Sequence, residues 1–284
     1  MKIVLGRKQR IENDRWLDAM EHIEELVSRK ELDNAVATVE KAIKKTTAGK
    51  NVAYCWSGGK DSIVLSDICR KVGITACMFA HTELEYPAFL EWCLAHKPEG
   101  CEVINTGQNL DWLITRQSMI FPKGRELNRW YAIVQRAAFT KYFFDHKLDM
   151  ILVGHRKADG NVVGSANIIK KNSGEVRYAP MADWPHEMVL AYIHYHGLEL
   201  PPIYGWKNGF KCGTHPWPSR MYMQSVEQGY REVYEIDPSI VTAAAERLSS
   251  AQHFIMLAQN HTSMKGGVIN GKGKGNGNRQ EKAV

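Results

Sequence analysis

The chain has 284 residues, of which 44% are hydrophobic and 24% are charged, the composition of a globular protein with a sizeable core. It has no run of about eighteen apolar residues, and no apolar stretch follows the first basic residues, so we expect neither a membrane span nor a secretory signal. The formal net charge is +6, but residues 265–284 contribute +4 of it, and the nearly neutral remainder is weak support for a nucleic-acid surface.

Residues 11–46 have the pattern of two amphipathic helices. Apolar residues recur at helical spacing from Trp16 to Val27 and again from Ala35 to Ile43. We expect residues 1–48 to form a helical N-terminal extension. It would pack against the main domain or, as a homodimer contact, against a second subunit.

After Gly49 the chain changes to short apolar runs that alternate with helical segments. The predicted strands cover residues 52–56, 76–80, 102–105 and 150–153, and the predicted helices cover residues 62–72, 87–95 and 131–146. This alternation predicts an α/β fold: a mostly parallel sheet with right-handed crossovers and helices on both faces. A hairpin is predicted around Asn172-Ser173-Gly174.

The C-terminal third continues with helices and ends in a polar tail. Asp183 is predicted to cap a helix from Pro185 to about His196, and a last helix is predicted over residues 238–258. The Gly- and Lys-rich residues 263–284 are expected to be disordered, with a basic charge available for a nucleic-acid contact. The expected units are therefore residues 1–48, an α/β domain over 49–235, a helix over 236–262 and the tail.

The strongest chemical signal is the hexad Ser57-Gly58-Gly59-Lys60-Asp61-Ser62, which lies where a buried strand ends and a helix begins. A helix N-terminus at the carboxyl end of a parallel strand points free N–H groups at an anion. Two glycines let the backbone approach phosphate oxygens, the serines donate hydroxyl hydrogen bonds and Lys60 adds a positive charge. It is not a Walker A loop, because Tyr54 stands where that motif needs a glycine. The alternative is a plain Gly-Gly turn with Asp61 as a cap.

The six cysteines form no CxxC or CC pair, and several lie in apolar segments where a free thiol behaves as a small buried hydrophobe. We therefore expect a reducing, cytoplasmic environment with no disulfide framework. No iron–sulfur cluster and no structural zinc site are expected.

The hexad resembles the PP-loop of the N-type ATP pyrophosphatases, and residues 50–235 resemble the phosphoadenosine phosphosulfate (PAPS) reductase branch of that superfamily. Further segments that resemble the family's motifs are His81 to Pro87, Gly154-His155-Arg156, Tyr178 to Trp184 and Lys211-Cys212-Gly213-Thr214-His215. The resemblance implies a Rossmann-like fold of the adenine nucleotide alpha hydrolase type. It also implies nucleotide contacts from Thr82, Glu83, Gly154 and Arg156 in addition to the hexad.

Within that family the intact hexad favours ATP. Such enzymes attack the α-phosphate of ATP, form an adenylylated substrate and release pyrophosphate, as the resemblance implies. Lys60 would lie beside the leaving charge and Asp61 would orient Mg²⁺, which makes both candidate catalytic residues. The predicted activity is a nucleotide-dependent transfer in sulfur metabolism.

The first alternative is an oxidoreductase, a thiol-dependent PAPS reductase. Cys212 would attack the sulfur of PAPS and a thioredoxin-like donor would resolve the adduct, with Lys211 and His215 expected to lower the pKa of the thiol. Two departures count against this alternative. Lys211 stands where the family usually has Glu, and Lys157-Ala158-Asp159-Gly160 replaces the usual Glu-Ser and Arg.

The second alternative is a non-catalytic nucleotide-binding subunit of a DNA sulfur-modification system. Several single residues also keep two interpretations. Arg125 and Arg129 are candidate phosphate or sulfate ligands or a solvated helix start, and His215 is a substrate contact or a turn residue. Glu83 and Glu85 are helix-capping acids or Mg²⁺ ligands, with capping favoured.

Overall fold

A computed structural model describes residues 1–221 and 223–266; most of the predicted disordered tail lies outside the described residues. Within them, six short strands form one sheet with the order β3-β2-β1-β4-β6-β5. The strands are β1 (Val52–Cys55), β2 (Cys77–His81), β3 (Glu102–Asn105), β4 (Met150–Leu152), β5 (Ile168–Lys170) and β6 (Val176–Tyr178).

The sheet is parallel except for β5, which pairs antiparallel with β6 in the predicted hairpin. From β1 the chain proceeds through β2 to β3 on one side, and β4 then adds on the other side of β1. Tyr54 is accordingly in register with Cys77 of β2 and with Leu152 of β4. The reversal of strand order beside β1 is the place where open α/β sheets bind ligands, and the hexad follows β1 there.

Helices cover both faces of the sheet, which confirms the predicted fold class. Alternate residues of β1 point to opposite sides: Tyr54 lies in one buried cluster with α4 (Lys60–Lys71) and α9 (His186–His196), whereas Ala53 and Cys55 lie in a second cluster with α8 (Ala137–Asp145). This alternation is the period of two that a strand imposes. The hexad is thereby held between two packed layers.

The N-terminal extension has three helices rather than two: α1 (Asn13–Glu21), α2 (Ile23–Leu26) and α3 (Arg29–Thr47). The additional break falls at His22, between α1 and α2, and Ser28 caps α3 in a reciprocal capping box with Glu31. The apolar face of these helices is buried against α9 and α4 of the same chain, including Trp16 and Ile43 at 0% exposure. Most positions that suggested a homodimer contact are thus already covered within the chain, while Leu17 stays exposed.

Three predicted helix boundaries were wrong. Helix α4 begins at Lys60, so Lys60 and Asp61 belong to its first turn. Pro185 is the N-cap of α9, and Asp183 accepts hydrogen bonds from Lys157 and Asn167 instead of capping the helix. The predicted helix over residues 238–258 is two helices, α12 (Pro238–Ala245) and α13 (Ser249–Gly266).

The predicted helix over residues 131–146 begins earlier and is not a regular α-helix throughout. It starts as α7 (Arg125–Trp130), continues as a π-helix (Tyr131–Arg136) and ends as α8. A π-helix widens the turn and re-aims side chains, and such segments are frequent at functional sites. Arg125 and Arg129 therefore lie within a helix rather than ahead of one.

The remaining elements are short or C-terminal. They are α5 (Pro87–His96), α6 (Leu110–Ile114), α10 (Gly209–Cys212) and α11 (Val226–Ile236), with 3-10 turns at Lys8–Arg10, Gln117–Met119, Lys157–Asp159, Ser165–Asn167, Pro202–Gly205 and Trp217–Ser219. Among the helices of the described ranges, none is both long and apolar enough to cross a bilayer.

Candidate functional site

A cavity of about 210 Å³ opens at the carboxyl end of β1. The hexad forms its floor, the residues after β4 form one wall, the π-helix forms a second wall and the segment after α10 forms a third. Its lining includes Ser57, Gly59, Asp61, Ser62, Gly154, His155, Tyr131, Gln135, Gly213, Thr214, His215 and, from the start of the chain, Lys8.

The hexad is held in one conformation by its own serines. The Ser57 N–H and hydroxyl both lie within hydrogen-bond distance of the Ser62 hydroxyl oxygen, at 3.0 and 3.1 Å, and the Ser62 hydroxyl donates to the Gly59 carbonyl at 2.9 Å. Gly58 has φ of +66°, and a Cβ there would lie 2.4 Å from the Cys93 sulfur. The loop is therefore preorganised before any ligand arrives.

Beneath the loop, two cations are matched by two carboxylates. The Lys60 ammonium lies 2.6 Å from one oxygen of Asp61 and 3.7 Å from Asp159. The Arg156 guanidinium binds the other oxygen of Asp61 at 2.7 Å and Asp159 at 2.8 Å. Lys60 is 1% exposed and Arg156 is 0% exposed, so these charges hold the floor together.

Burial of Asp61 opposes its ionisation, but Arg156 and Lys60 outweigh this effect and hold the pKa of its carboxyl well below the usual range. Burial also lowers the pKa of three neighbouring histidines, to about 4 for His155, about 3 for His186 and about 4 for His215. All three are neutral near pH 7 and add no charge to the site.

Gly154 and Arg156 were both predicted to contact the nucleotide, but of the two only Gly154 lines the cavity. A Cβ at Gly154 would lie 3.1 Å from the backbone carbon of Asp61, so a larger residue would push the chain after β4 away from the first turn of α4. Arg156 also donates to the Trp184 carbonyl at 3.0 Å. It lies below the cavity and positions Asp61; it does not line the cavity.

The segment after β2 differs from expectation. Glu83 is exposed and accepts a hydrogen bond from Asn105, and neither Thr82 nor Glu83 lines the cavity. Glu85 instead accepts from the Thr82 N–H at 3.0 Å and hydroxyl at 3.1 Å, and lines an adjoining aromatic cavity with Trp56 and Phe89. Neither glutamate caps a helix, because α5 has Tyr86 as its N-cap and no acid in its first turn.

The buried oxygen Oε2 of Glu85 has no hydrogen-bond partner among the described residues. Burial raises the pKa of this carboxyl to about 7, the direction that desolvation of a carboxylate dictates. Glu85 is therefore a titratable group near neutral pH at the edge of the site. The sequence had offered it only as a cap or a metal ligand.

Cys212 does not face the cavity. Its side chain is 1% exposed, its sulfur lies 3.8 Å from the Met221 carbonyl, and burial raises the pKa of its thiol. The expectation that Lys211 and His215 lower this pKa was wrong: Lys211 pairs with Glu12, and His215 is uncharged near pH 7. Of this segment, only Gly213, Thr214 and His215 reach the cavity.

Arg125 and Arg129 do not reach the cavity either. Both are exposed, and Arg129 forms an ion pair with Glu126 on its own helix. Other residues of the same helix take the wall position: Tyr131 and Gln135 project from the π-helix, and the Tyr131 hydroxyl lies 3.1 Å from His215. A π-helix has no sequence signal that the 3.6-residue period reveals, so this wall was missed.

The cavity opens into a wider groove of about 930 Å³ that shares Tyr131, Gln135 and His155 with it. The groove is lined by four cations: Arg136, Lys170, Lys171 and Arg177. Arg177 is 6% exposed and pairs with Glu175, while its second terminal nitrogen has no hydrogen-bond partner in the described part of the chain. This groove is suited to an anionic molecule.

Asp61 was predicted to orient Mg²⁺, yet both of its oxygens already accept from Lys60 and Arg156. Across residues 1–221 and 223–266, no cluster of three His, Cys, Asp or Glu side chains is arranged to hold a metal. Mg²⁺ is often carried by substrate phosphates with one or two carboxylates. As arranged, Asp61 is a counter-ion rather than a free ligand.

A family model described as the phosphoadenosine phosphosulfate reductase domain matches residues 51–232. A search of curated proteins found no match. Among solved structures, the chain is similar to PAPS reductase from Candida auris in a phosphate complex, with 15% identity, 67% of this chain and 96% of that chain covered, and a TM-score of 0.48.

Two further solved structures are similar at a lower level. NMN synthetase from Francisella tularensis has 14% identity, with 84% of this chain and 96% of that chain covered and a TM-score of 0.44. The NH3-dependent NAD synthetase from Campylobacter jejuni, solved with nitrate, has 13% identity, coverages of 78% and 96% and a TM-score of 0.42. The family match itself includes the hexad and excludes helices α1 to α3.

Proposed function

Because the chain belongs to the phosphoadenosine phosphosulfate reductase domain family of PP-loop enzymes, we propose that it binds ATP over the hexad and cleaves it between the α- and β-phosphates. The family resemblance noted in the sequence is thereby confirmed, and the chain is an enzyme. The choice of ATP, the adenylyl transfer and the roles of individual residues are the proposal.

One observation carries the proposal: the hexad is intact and preorganised at the N-terminus of α4, a helix of 12 residues, and faces a cavity. Unpaired N–H groups at a helix start attract anions. The Ser57 hydroxyl, which lines the cavity, would turn from Ser62 to donate to a phosphate oxygen. Preorganised donors lose little free energy to reorganisation when charge develops in the transition state. The negative charge of a bound triphosphate would lie within reach of these donors.

In the proposed reaction, a nucleophilic atom of the acceptor attacks the α-phosphorus. The bond from that phosphorus to the bridging oxygen breaks, and pyrophosphate leaves with the bonding electron pair. The attacking group loses its proton to solvent. The chain's part is to hold the reactants in line, which by itself supplies a large share of rate acceleration.

The aromatic cavity beside the hexad is the proposed site of the adenine ring. It is lined by Trp56, Phe79, Phe89 and Trp130, and it shares Ser57 and Tyr131 with the cavity over the hexad, the phosphate cavity. Aromatic faces suit a purine ring, and the free oxygen of Glu85 would accept a hydrogen bond from an exocyclic amino group. The basic groove on the opposite side would then take an anionic acceptor.

The alternative of PAPS reduction needs an accessible thiolate at Cys212. The buried thiol with a raised pKa is the state of an inert cysteine, so the structure favours adenylyl transfer over this alternative. A non-catalytic subunit of a DNA sulfur-modification system would bind a nucleotide in the same cavity but would not convert it.

The test is calorimetric titration of ATP with Mg²⁺, PAPS and adenosine phosphosulfate, together with an assay for pyrophosphate release. Ser57→Ala removes a hydroxyl that lines the cavity, and Ser173→Ala, at an exposed turn, is the matched control. We expect Ser57→Ala to weaken ATP binding about three- to tenfold, the cost of one hydrogen bond, and Ser173→Ala to leave it unchanged.

Cys212→Ala separates the two chemistries. Adenylyl transfer predicts pyrophosphate release at the wild-type rate, whereas reduction predicts complete loss of turnover with PAPS. Tighter binding of PAPS than of ATP, with reduction abolished by Cys212→Ala, would overturn the proposal. Nucleotide binding without pyrophosphate release for any anionic acceptor would favour the non-catalytic alternative.

A further inference from the structure

The N-terminal extension does more than cover the sheet: it brings one side chain into the phosphate cavity. We propose that Lys8, which lies outside the family-matched residues, is a phosphate-binding residue that supplies the uncompensated positive charge of the nucleotide site. This inference rests on the proposed function, because it concerns the same cavity. It assigns the cavity's affinity for phosphate to a segment of the chain that the hexad does not include.

The position of Lys8 is the first argument. Its side chain lines the cavity together with Ser57, Gly59 and Asp61 of the hexad. The Lys8 ammonium nitrogen lies 3.5 Å from the ideal Cβ position of Gly213, on the opposite wall. The positive charge of Lys8 therefore lies at the cavity beside the hexad.

Charge balance is the second argument. Lys60 and Arg156 are matched by Asp61 and Asp159, and the nearby histidines are neutral near pH 7. Within residues 1–221 and 223–266, no hydrogen bond or ion pair involves the Lys8 ammonium. Lys8 is therefore the cation at this cavity that is available to an anion without breaking an existing pair.

Electrostatics agrees with this assignment. Burial, and next the charge of Lys60, lower the pKa of the Lys8 ammonium. A cation held in a desolvated place without a partner is costly, and an anionic ligand relieves that cost. A bound phosphate would be the partner that Lys8 does not have among the described residues.

The segment that carries Lys8 is anchored on both sides. Before Lys8, the N–H groups of Val4 and Leu5 both donate to one oxygen of the buried Glu187, each at 2.7 Å. After it, Ile11 is 7% exposed in the core, and Asn13 bridges the Tyr204 carbonyl and the Phe210 N–H. A short 3-10 turn between these anchors holds Lys8 in place.

The experiment titrates inorganic pyrophosphate, ATP and adenosine into the full chain by calorimetry. The variants are Lys8→Ala, Lys8→Gln, Lys8→Arg and, as a matched control, Lys2→Ala, which alters an exposed lysine of the same segment that does not line the cavity. Adenosine binding reports on the aromatic cavity, and pyrophosphate binding reports on the phosphate cavity alone.

We expect Lys8→Ala and Lys8→Gln to weaken pyrophosphate and ATP binding on the order of ten- to a hundredfold, the effect of one charged hydrogen bond. The salt dependence of binding should become shallower in both variants, since one ligand-facing charge is gone. Adenosine affinity should not change, Lys8→Arg should retain most of the affinity, and Lys2→Ala should match the wild type.

Wild-type pyrophosphate affinity in Lys8→Ala and Lys8→Gln would overturn the role of Lys8 and leave the proposed function standing. An equal loss of adenosine and pyrophosphate affinity would also overturn it, because the segment would then only support the fold. A wild-type chain that binds neither ATP nor pyrophosphate would overturn both the inference and the proposed function.

Discussion

The floor and the walls of the cavity use charge in opposite ways. In the floor, Lys60 and Arg156 are buried and are matched by Asp61 and Asp159, which line the cavity. In the walls, the Lys8 ammonium has no hydrogen bond or ion pair within the described part of the chain, and in the wall of the adjoining aromatic cavity Glu85 keeps one buried oxygen without a hydrogen bond there. The matched groups build the site, and the unmatched groups are left for a ligand.

This difference separates stability from binding. A matched buried ion pair contributes to a defined structure but is costly to break, because removal of one member leaves the other uncompensated. An unpaired buried group lowers the stability of the fold, and a ligand that pairs with this group offsets the loss when it binds. Floor variants should therefore lower the free energy of unfolding, while wall variants should lower ligand affinity and leave stability equal or higher.

The largest effect is expected for Arg156→Ala. It removes the partner of both Asp61 and Asp159 at a site with 0% exposure, so we expect a loss of about 3–5 kcal/mol in the free energy of unfolding. Urea denaturation measures it. Arg129→Ala, at an exposed ion pair, is the control and should change stability by no more than about 0.5 kcal/mol. A loss below about 1 kcal/mol for Arg156→Ala would show that the floor does not depend on matched charges.

A smaller and pH-dependent effect is expected for Glu85→Gln. The pKa of Glu85 in the folded chain, about 7, is above its ordinary value of 4.5, so the folded state binds more protons than the unfolded state between these values. The wild type should be most stable relative to Glu85→Gln below pH 4.5 and lose this advantage as pH rises to 7. The change should be about 3 kcal/mol at most, and constant above the folded pKa.

Parallel urea titrations of the two proteins from pH 4 to pH 8 measure this difference. Glutamine keeps the acceptor oxygen that binds Thr82, so the comparison isolates the proton. Glu83→Gln, at an exposed carboxylate, is the control for the removal of one carboxylate from the same segment. A flat difference between wild type and Glu85→Gln would mean that the Glu85 carboxyl is solvated in the folded chain.

Some of this organisation is visible in the sequence, and the reason is locality. The hexad, the strand–helix alternation and the hairpin are each defined by a few consecutive residues, and the structure confirms all of them. The partners of Lys60 and Asp61 were not visible in this way: Lys60 was predicted at the leaving charge and Asp61 at Mg²⁺, whereas the structure pairs them with each other and Asp61 also with Arg156. A motif of consecutive residues located these side chains but did not identify their partners.

Gly154 and His215 of the walls were named from the sequence, but the place of Lys8 was not predictable because packing creates it. Lys8 lies 49 positions before Ser57, and it reaches the cavity because Leu5 and Ile11 on either side of it are buried in the core. The same limit explains the error at Cys212: its neighbours in sequence suggested an activated thiol, but burial decided its pKa. Exposure and pairing are tertiary properties, and a motif shows only where to look for them.

The glycines of the two regions give the smallest and most direct comparison. Gly58 in the floor has φ of +66° and Gly213 in the wall has φ of +65°, so alanine at either position carries backbone strain of about 1–3 kcal/mol. They differ in surroundings. A Cβ at Gly58 would meet the Cys93 sulfur at 2.4 Å, whereas at Gly213 the nearest atom is the Lys8 ammonium nitrogen at 3.5 Å.

Gly58→Ala should therefore carry an overpacking cost of about 1 kcal/mol that Gly213→Ala does not carry, the usual minimum for such a clash. Cys93→Ala removes the clashing sulfur, so in urea denaturation it should relieve that extra cost in the Gly58→Ala background and relieve nothing in the Gly213→Ala background. Equal coupling of Cys93→Ala to both glycine variants would show that strain, rather than contact with α5, distinguishes the floor. A larger loss in Gly213→Ala than in Gly58→Ala would reverse the comparison and make the wall the more rigid region.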